Sequence, residues 1–282
     1  MPDFETDSPR RELPPEVARL LAGARAREIP TGMSGARVRR YEWHGASPAM
    51  FLKTAPVAPA VAGERLSDEV ARLRWMAAHA LPVSHVHHYE VADGVEYLLL
   101  GEVHGADASA ARDGRAAPAV VAALADGLRL LHATPAADCP FRHDASSRIE
   151  DARERVRAGR VDADDFDAER LGRGAEELLE ELIAARPTSE GAVFTHGDYC
   201  LPNVILRGDA REGVGGVSLA LSGFVDCGRA GVADPYQDLA LAARSLAYNL
   251  GADWVPLLFE RYEFAELDRS RLHFYTLLDE FF

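Results

Sequence analysis

HGDYCLPN, residues 196–203, stands directly before the apolar run Val204, Ile205, Leu206, and its reading decides the rest of the chain. Working outward, VFTHGDYCLPNVILRGDAREGVGGVSLALSGFVDCGR (residues 193–229) reads as loop, strand, turn, strand, loop, with glycines marking the turn. Two antiparallel neighbours of this kind return to the same end of a sheet. That brings Asn203, at the start of one strand, beside Asp226, at the end of the other. An amide oxygen and a carboxylate, with phosphate oxygens and water completing the shell, suit Mg²⁺. Asp198, five positions before Asn203, lies just outside that pair and is placed to accept a proton from an incoming hydroxyl. One Asp for the nucleophile, with an Asn and a second Asp for metal, is the division of labour in phosphoryl transfer. Taken singly, Asp198 is also a turn residue beside Gly197, and Asn203 a cap; the ordered set carries the reading. His196 is expected to brace the loop through backbone hydrogen bonds. A Cys200–His196 nucleophile pair is a rival class, but no orienting partner or oxyanion loop accompanies it.

Such chemistry also needs a cation on phosphate. The chain has one lysine among its 31 Lys and Arg residues, Lys53 in AMFLKTAP (residues 49–56). An ammonium is a compact point charge, whereas guanidinium is a wide planar fork. Coding bias alone explains many arginines, but not this position once its neighbours are read. Glu69 follows in SDEVARL on the next helix, as the expected ion-pair partner of Lys53. The loop TGMSGARV (residues 31–38) offers Gly32, Gly35 and the Ser34 hydroxyl, with backbone N–H groups, to phosphates.

Composition narrows the class. The 282 residues are 48% hydrophobic and 27% charged, ordinary for a soluble globular protein and enough for two lobes. A net charge of −14 argues against a nucleic-acid partner and suits a cationic small molecule. No apolar stretch is long enough to span a bilayer, and SPRREL lacks the apolar region of an export signal, so the expected location is the cytoplasm. Cys139, Cys200 and Cys227 form no CxxC pair, which points to reduced thiols and no zinc. The expected state is a monomer or a weak dimer.

Residues 1–30 are polar, with one short helix expected at 16–26. From 32 to about 103 the pattern is strand-rich. ARVRRYEW and AMFLKTA pair as strands, RLSDEVARLRWMAAHA has helical spacing, and HHYEVADGVEYLLLGEV gives two strands about an Asp-Gly turn. Long helical segments follow at 117–133, 147–158, 174–186, 234–248 and 268–281. The fold class is therefore α/β (α+β) with two lobes: a small N-terminal β-sheet lobe, 1–103, and a larger, mainly helical lobe, 104–282. A cleft between them is the expected ligand site.

At these residues the sequence resembles the aminoglycoside 3′-phosphotransferases, small relatives of the protein kinases. The resemblance runs from GMSGARV to the last residue and is densest in FTHGDYCLPNVIL, SGFVDCGRAGVADPYQDLALAARSL and FYTLLDEFF. It implies a protein-kinase-like fold, ATP and Mg²⁺ as cofactors, and transfer of the γ-phosphate to the 3′-hydroxyl of kanamycin- or neomycin-type aminoglycosides, conferring resistance. It further implies that LLLGEVHG is a hinge where backbone groups of Gly101 and Val103 meet the purine edge and Phe51 stacks on its face. The final helix would end at the substrate, where Asp279, Glu280 and the terminal carboxylate of Phe282 bind drug ammonium groups and Arg229 and Arg244 shape the acceptor site. In DDFDAERLG, Asp167 and Glu169 would face the drug, while Ala168 stands where a relative carries glutamate; this bears on the range of drugs accepted. Two alternatives share the fold: a kinase of another small alcohol (a macrolide or a metabolite), and a non-catalytic nucleotide-binding pseudokinase. The acidic C-terminus speaks against the first, and the full set Lys53, Glu69, Asp198, Asn203 and Asp226 against the second.

Overall fold

The computed structural model describes residues 13–29, 36–45, 48–57, 65–111, 114–209, 218–264 and 266–282. The chain divides into two compact units, Met1–Ala58 with Val86–Glu102, and Pro59–His85 with Val103–Phe282. In the first, a short helix α1 (Pro15–Leu20) precedes five antiparallel strands: β1 (Arg25–Ile29), β2 (Arg37–Glu42), β3 (Met50–Pro56), β4 (Val86–Ala92) and β5 (Val95–Gly101). Their order among the described residues is β1-β2-β3-β5-β4. The expected pairing of β2 with β3 is present, and Lys53 sits mid-strand opposite Val38 on one side and Leu98 on the other. Asp93 and Gly94 both take positive φ, 49° and 73°, as a two-residue hairpin turn of this hand requires. One sheet face closes on α1 through Val17, Tyr41, Leu52, Tyr97 and Leu99. The helix expected at 16–26 stops at Leu20, and residues 25–29 form an unforeseen strand. RAREI has no buried side chain, so β1 arises from pairing with β2 rather than from its own pattern. Its charges suit an exposed sheet edge.

The first helix of the second unit is α2 (Leu66–Ala78), which is tied to later segments of that unit. Arg72 Nε donates to Ala230 O at 2.8 Å, and the Trp75 ring stacks on Phe194 at 4.5 Å. Next come β6 (Ala106–Asp107), α3 (Ala117–His132), α4 (Ala145–Arg157), α5 (Ala175–Ala184) and β7 (Val193–Thr195). β8 (Val204–Asp209), β9 (Ser218–Phe224), β10 (Gly231–Ala233), α6 (Tyr236–Leu250), α7 (Val255–Tyr262) and α8 (Arg269–Asp279) complete the unit. Strands β6-β8-β9 form one small sheet and β10-β7 another. Ile149, Leu178, Leu182, Phe274, Leu278 and Phe281 share a core among α4, α5 and α8. All five expected helices are present, with ends shifted by a few residues. The short α7 was not foreseen. Among the described residues no helix is long and apolar enough to cross a membrane.

Candidate active site

Strand β7 delivers the loop 196–203, and buried backbone contacts then fix it. Asp238, fully buried in the first turn of α6, accepts from His196 N at 2.8 Å and from Gly197 N at 2.9 Å. His132 reaches the same carboxylate at 3.2 Å and the Tyr262 hydroxyl at 2.7 Å. Gly197 has φ +80°, and a Cβ there would lie 2.0 Å from Arg229 O, so only glycine fits. His196 Nε2 lies 3.0 Å from the Val225 carbonyl, while Nδ1 faces Asp198 N at 3.3 Å. A carbonyl can only accept and an N–H only donate, so these bonds require the neutral ring with its proton on Nε2. His196 thus braces the loop through the backbone on both sides of its ring.

Asn203 is oriented just as firmly. Its Nδ2 donates to Asp198 O at 3.0 Å and to Asp198 Oδ2 at 2.9 Å, and Val225 N donates to Asn203 O at 3.0 Å. With the amide nitrogen committed, the amide oxygen is the atom left for a cation. The β8–β9 pairing sets Val204 opposite Phe224, which brings the flanking Asn203 and Asp226 to one sheet end. Asp226 takes the left-handed conformation (φ 56°, ψ 47°) and opens the turn that follows it. One amide oxygen and one exposed carboxylate form a hard, all-oxygen partial set that fits Mg²⁺ bound together with phosphate and water. Among the described residues no three His, Cys, Asp or Glu side chains gather into a metal cage. Cys200 does not compete as a nucleophile: burial, with Asp198 nearby, drives its thiol pKa well up, and a protonated thiol is unreactive.

A second cluster gathers residues far apart in sequence. Arg244, on α6, donates from Nε to Asp167 Oδ1 at 2.9 Å and from NH1 to Asp279 Oδ2. Arg170 donates to Glu280 Oε1 at 2.9 Å, and Asp167 N donates to Glu280 Oε2 at 3.1 Å. That inner pair is buried, with 7% of the Arg170 side chain and 1% of the Glu280 side chain exposed. Burial raises the carboxyl pKa of both Asp279 and Glu280 above the ordinary range. Phe281 belongs to the helical core, while Phe282 lies under the Arg148 guanidinium at 3.7 Å and accepts from Arg229 NH2 at 3.0 Å. A cavity of about 290 Å³ borders Asp167, Ala168, Glu169 and Arg244.

The phosphotransferase enzyme family profile matches residues 25–275. An aminoglycoside 3′-phosphotransferase of Niallia circulans is 36% identical, over 96% of this chain and 98% of its own. The chain belongs to the aminoglycoside 3′-phosphotransferase family. A solved aminoglycoside 3′-phosphotransferase of type VIII superposes with a TM-score of 0.81 at 34% identity, covering 95% of this chain and 98% of that one. The aminoglycoside phosphotransferase APH(3″)-Id of Streptomyces rimosus, solved with ADP and streptomycin, gives 0.77 at 30% identity, covering 94% and 95%.

As a member of this family the chain is a kinase-like transferase, and the residues expected to serve the nucleotide are placed as follows. Lys53 and Phe51 lie on β3 and Gly101 ends β5, all in the first unit, where Glu102 N donates to Ala49 O at 3.1 Å. Val103 opens the second stretch of the second unit, and Glu69 is a buried carboxylate on α2. Ser34, Gly32 and Gly35 lie outside the described residues. Sequence reasoning missed Asp238 and Arg170. Asp238 lies inside the quoted ADPYQDLA run, but nothing local shows that its partners are the backbone amides of 196 and 197. Arg170 reads as a surface residue after Glu169 until its buried partner, 110 positions on, is known.

Proposed function

We propose that the chain transfers the γ-phosphate of ATP to the 3′-hydroxyl of a kanamycin- or neomycin-type aminoglycoside, acting in the cytoplasm and conferring resistance. One observation carries the reading: Asn203 Nδ2 grips Asp198 at 2.9 Å while Asn203 O is tied to Val225, next to Asp226. Proton acceptor and metal ligands thereby form one rigid unit. Asn203 holds Asp198 Oδ2, so Oδ1 takes the proton of the acceptor hydroxyl. The hydroxyl oxygen, its proton now on Oδ1, attacks the γ-phosphorus, the bond to the bridging oxygen breaks, and ADP leaves. Asn203 and Asp226 would hold Mg²⁺, which neutralises charge on the phosphates. Lys53, Ser34 and Glu69 are assigned to the phosphates. Phe51, Gly101 and Val103 serve the base.

The acceptor reading is supported by the names of the relatives and by the carboxylates Asp167, Glu169 and Asp279 around Arg244. Arg229 and Phe282 complete that edge, and Glu280 contributes to it through its pair with Arg170. The test is phosphorylation of kanamycin, neomycin, streptomycin and a 3′-deoxy aminoglycoside, with the modified oxygen mapped by NMR. Phosphate at the 3′ oxygen of the first two, and inhibition without turnover by the deoxy compound, is the expected result. Turnover of streptomycin alone would move the acceptor to a 3″-hydroxyl.

A further inference from the structure

The arginines of the acceptor cluster are not equivalent. Arg170 and Glu280 are sealed from solvent, and Asp167 N adds a further hydrogen bond to the carboxylate. Arg244 keeps a third of its side chain exposed and spans two carboxylates, Asp167 and Asp279. These are two of the acidic groups expected to meet a substrate ammonium. Two guanidinium groups therefore already offset most of the charge of three carboxylates. A polycation entering this edge meets carboxylates that hold a cation of their own. Arg244 also borders the 290 Å³ cavity, whose lining includes the exposed Glu169 and the small side chains Ala168, Ala240 and Ala243.

We propose that Arg244 is an exchangeable stand-in for a substrate ammonium: it occupies Asp279 in the free protein, withdraws into the adjoining cavity toward Glu169 when the substrate binds, and so sets a cost that only a multiply charged amine overcomes. This rests on the aminoglycoside reading above. A guanidinium stays charged at any working pH, so the site is never left as bare carboxylates. Asp279 needs that guard. It is desolvated and lies in the field of Asp198, both of which oppose its charge, and Arg244 opposes them. Monoamines have one charge to exchange for one, with no surplus. An aminoglycoside brings several, and gains further contacts once Arg244 has moved.

The experiment measures Kd by calorimetry, without ATP, for kanamycin and for the monoamine glucosamine, on the wild type and on Arg244→Met. Losing the competing cation is expected to tighten kanamycin binding about fivefold, the scale of one partly exposed ion pair, and to narrow the gap between kanamycin and the smaller amine. Unchanged or weaker binding by Arg244→Met would overturn the proposal, because Arg244 would then be part of the receptor. Since the variant could fold poorly, a second measurement uses the wild type alone. The Arg244 guanidinium ¹⁵Nη resonance, assigned by its absence in Arg244→Lys, should shift on titration with kanamycin as the NH1 bond to Asp279 is given up. A resonance that stays put refutes exchange. A wild type that neither binds nor phosphorylates any aminoglycoside removes the acceptor reading itself, and the proposal with it; a competent wild type with a static Arg244 removes only the proposal.

Discussion

The loop 196–203 and the cluster around Arg244 proposed to receive the acceptor lie in the same unit and are held by opposite means. The loop is fixed through its backbone: two amides on Asp238, a left-handed glycine with no room for a Cβ, and an asparagine gripping Asp198. The cluster is held through the ends of long side chains, Arg170 and Arg244 against Asp167, Asp279 and Glu280. Backbone bonds give a single geometry, which the transition state of a phosphoryl transfer requires. Side-chain ion pairs can be traded for those of a ligand. On the proposed function, chemistry falls to the rigid part and recognition to the part whose outer ion pair is exposed.

The largest effect expected from this contrast is at Asp198. Replacing it by Ala removes the proton acceptor but none of the groups proposed for the nucleotide, so kcat should fall on the order of 10³-fold with the KM for ATP nearly unchanged. Steady-state kinetics with kanamycin would show this. Retention of more than about a tenth of the wild-type kcat would take the base role away from Asp198.

Next in size is the inner pair of the acceptor edge. Arg170→Met leaves Glu280 buried without its cation, which is expected to cost about 3–5 kcal/mol and to lower Tm by roughly 10 °C. Arg170→Met combined with Glu280→Met should recover most of that loss. If the single variant melts near the wild type, this pair is as exchangeable as the outer one, and the division between Arg170 and Arg244 collapses.

Gly197→Ala probes the rigid side with a smaller change. The left-handed backbone costs an L-residue about 1–3 kcal/mol, and the new Cβ would press on Arg229 O. Both Tm and kcat should fall, because the strain lands on the residue before Asp198. A loss of Tm with full kcat would mean the loop tolerates displacement, and rigidity would not explain its design.

The same contrast accounts for what could be read from the sequence. Asp198, Asn203 and Asp226 were legible because their relation is local: a loop, a strand, a turn and a returning strand place them, and each step has a residue signature. The Asp-Gly hairpin and the five long helices were legible for the same reason. Strand β1 was not, since RAREI has no apolar face and takes its form from a neighbour. Nor were the pairings Arg170–Glu280 and Arg244–Asp167, which close over 110 and 77 positions. Composition shows that such arginines exist. Only packing shows which carboxylate each one holds, and that Glu280, expected to meet a drug, is already engaged inside the protein.

The smallest expected effect concerns Asp279 and the direction in which pH acts on it. Burial is the chief reason its carboxyl pKa lies above the ordinary range, and Arg244 only partly counters it. The folded chain therefore keeps that proton to higher pH than the unfolded chain does. Stability from this group is full below the ordinary carboxylate value and is lost as pH rises through the raised folded value. Asparagine does not titrate, so Asp279→Asn removes that loss while also giving up the bond to Arg244. Relative to the wild type, the Tm of the variant should be more favourable at pH 7 than at pH 4, by about 1 °C, since Arg244 cancels part of what burial costs the carboxylate. Melting curves at the two values decide it. A variant that compares worse at pH 7 than at pH 4 would mean the Arg244 pair outweighs burial. The outer pair would then be a stabilising contact like Arg170–Glu280, and the acceptor edge would lose the readiness to exchange that separates it from the catalytic loop.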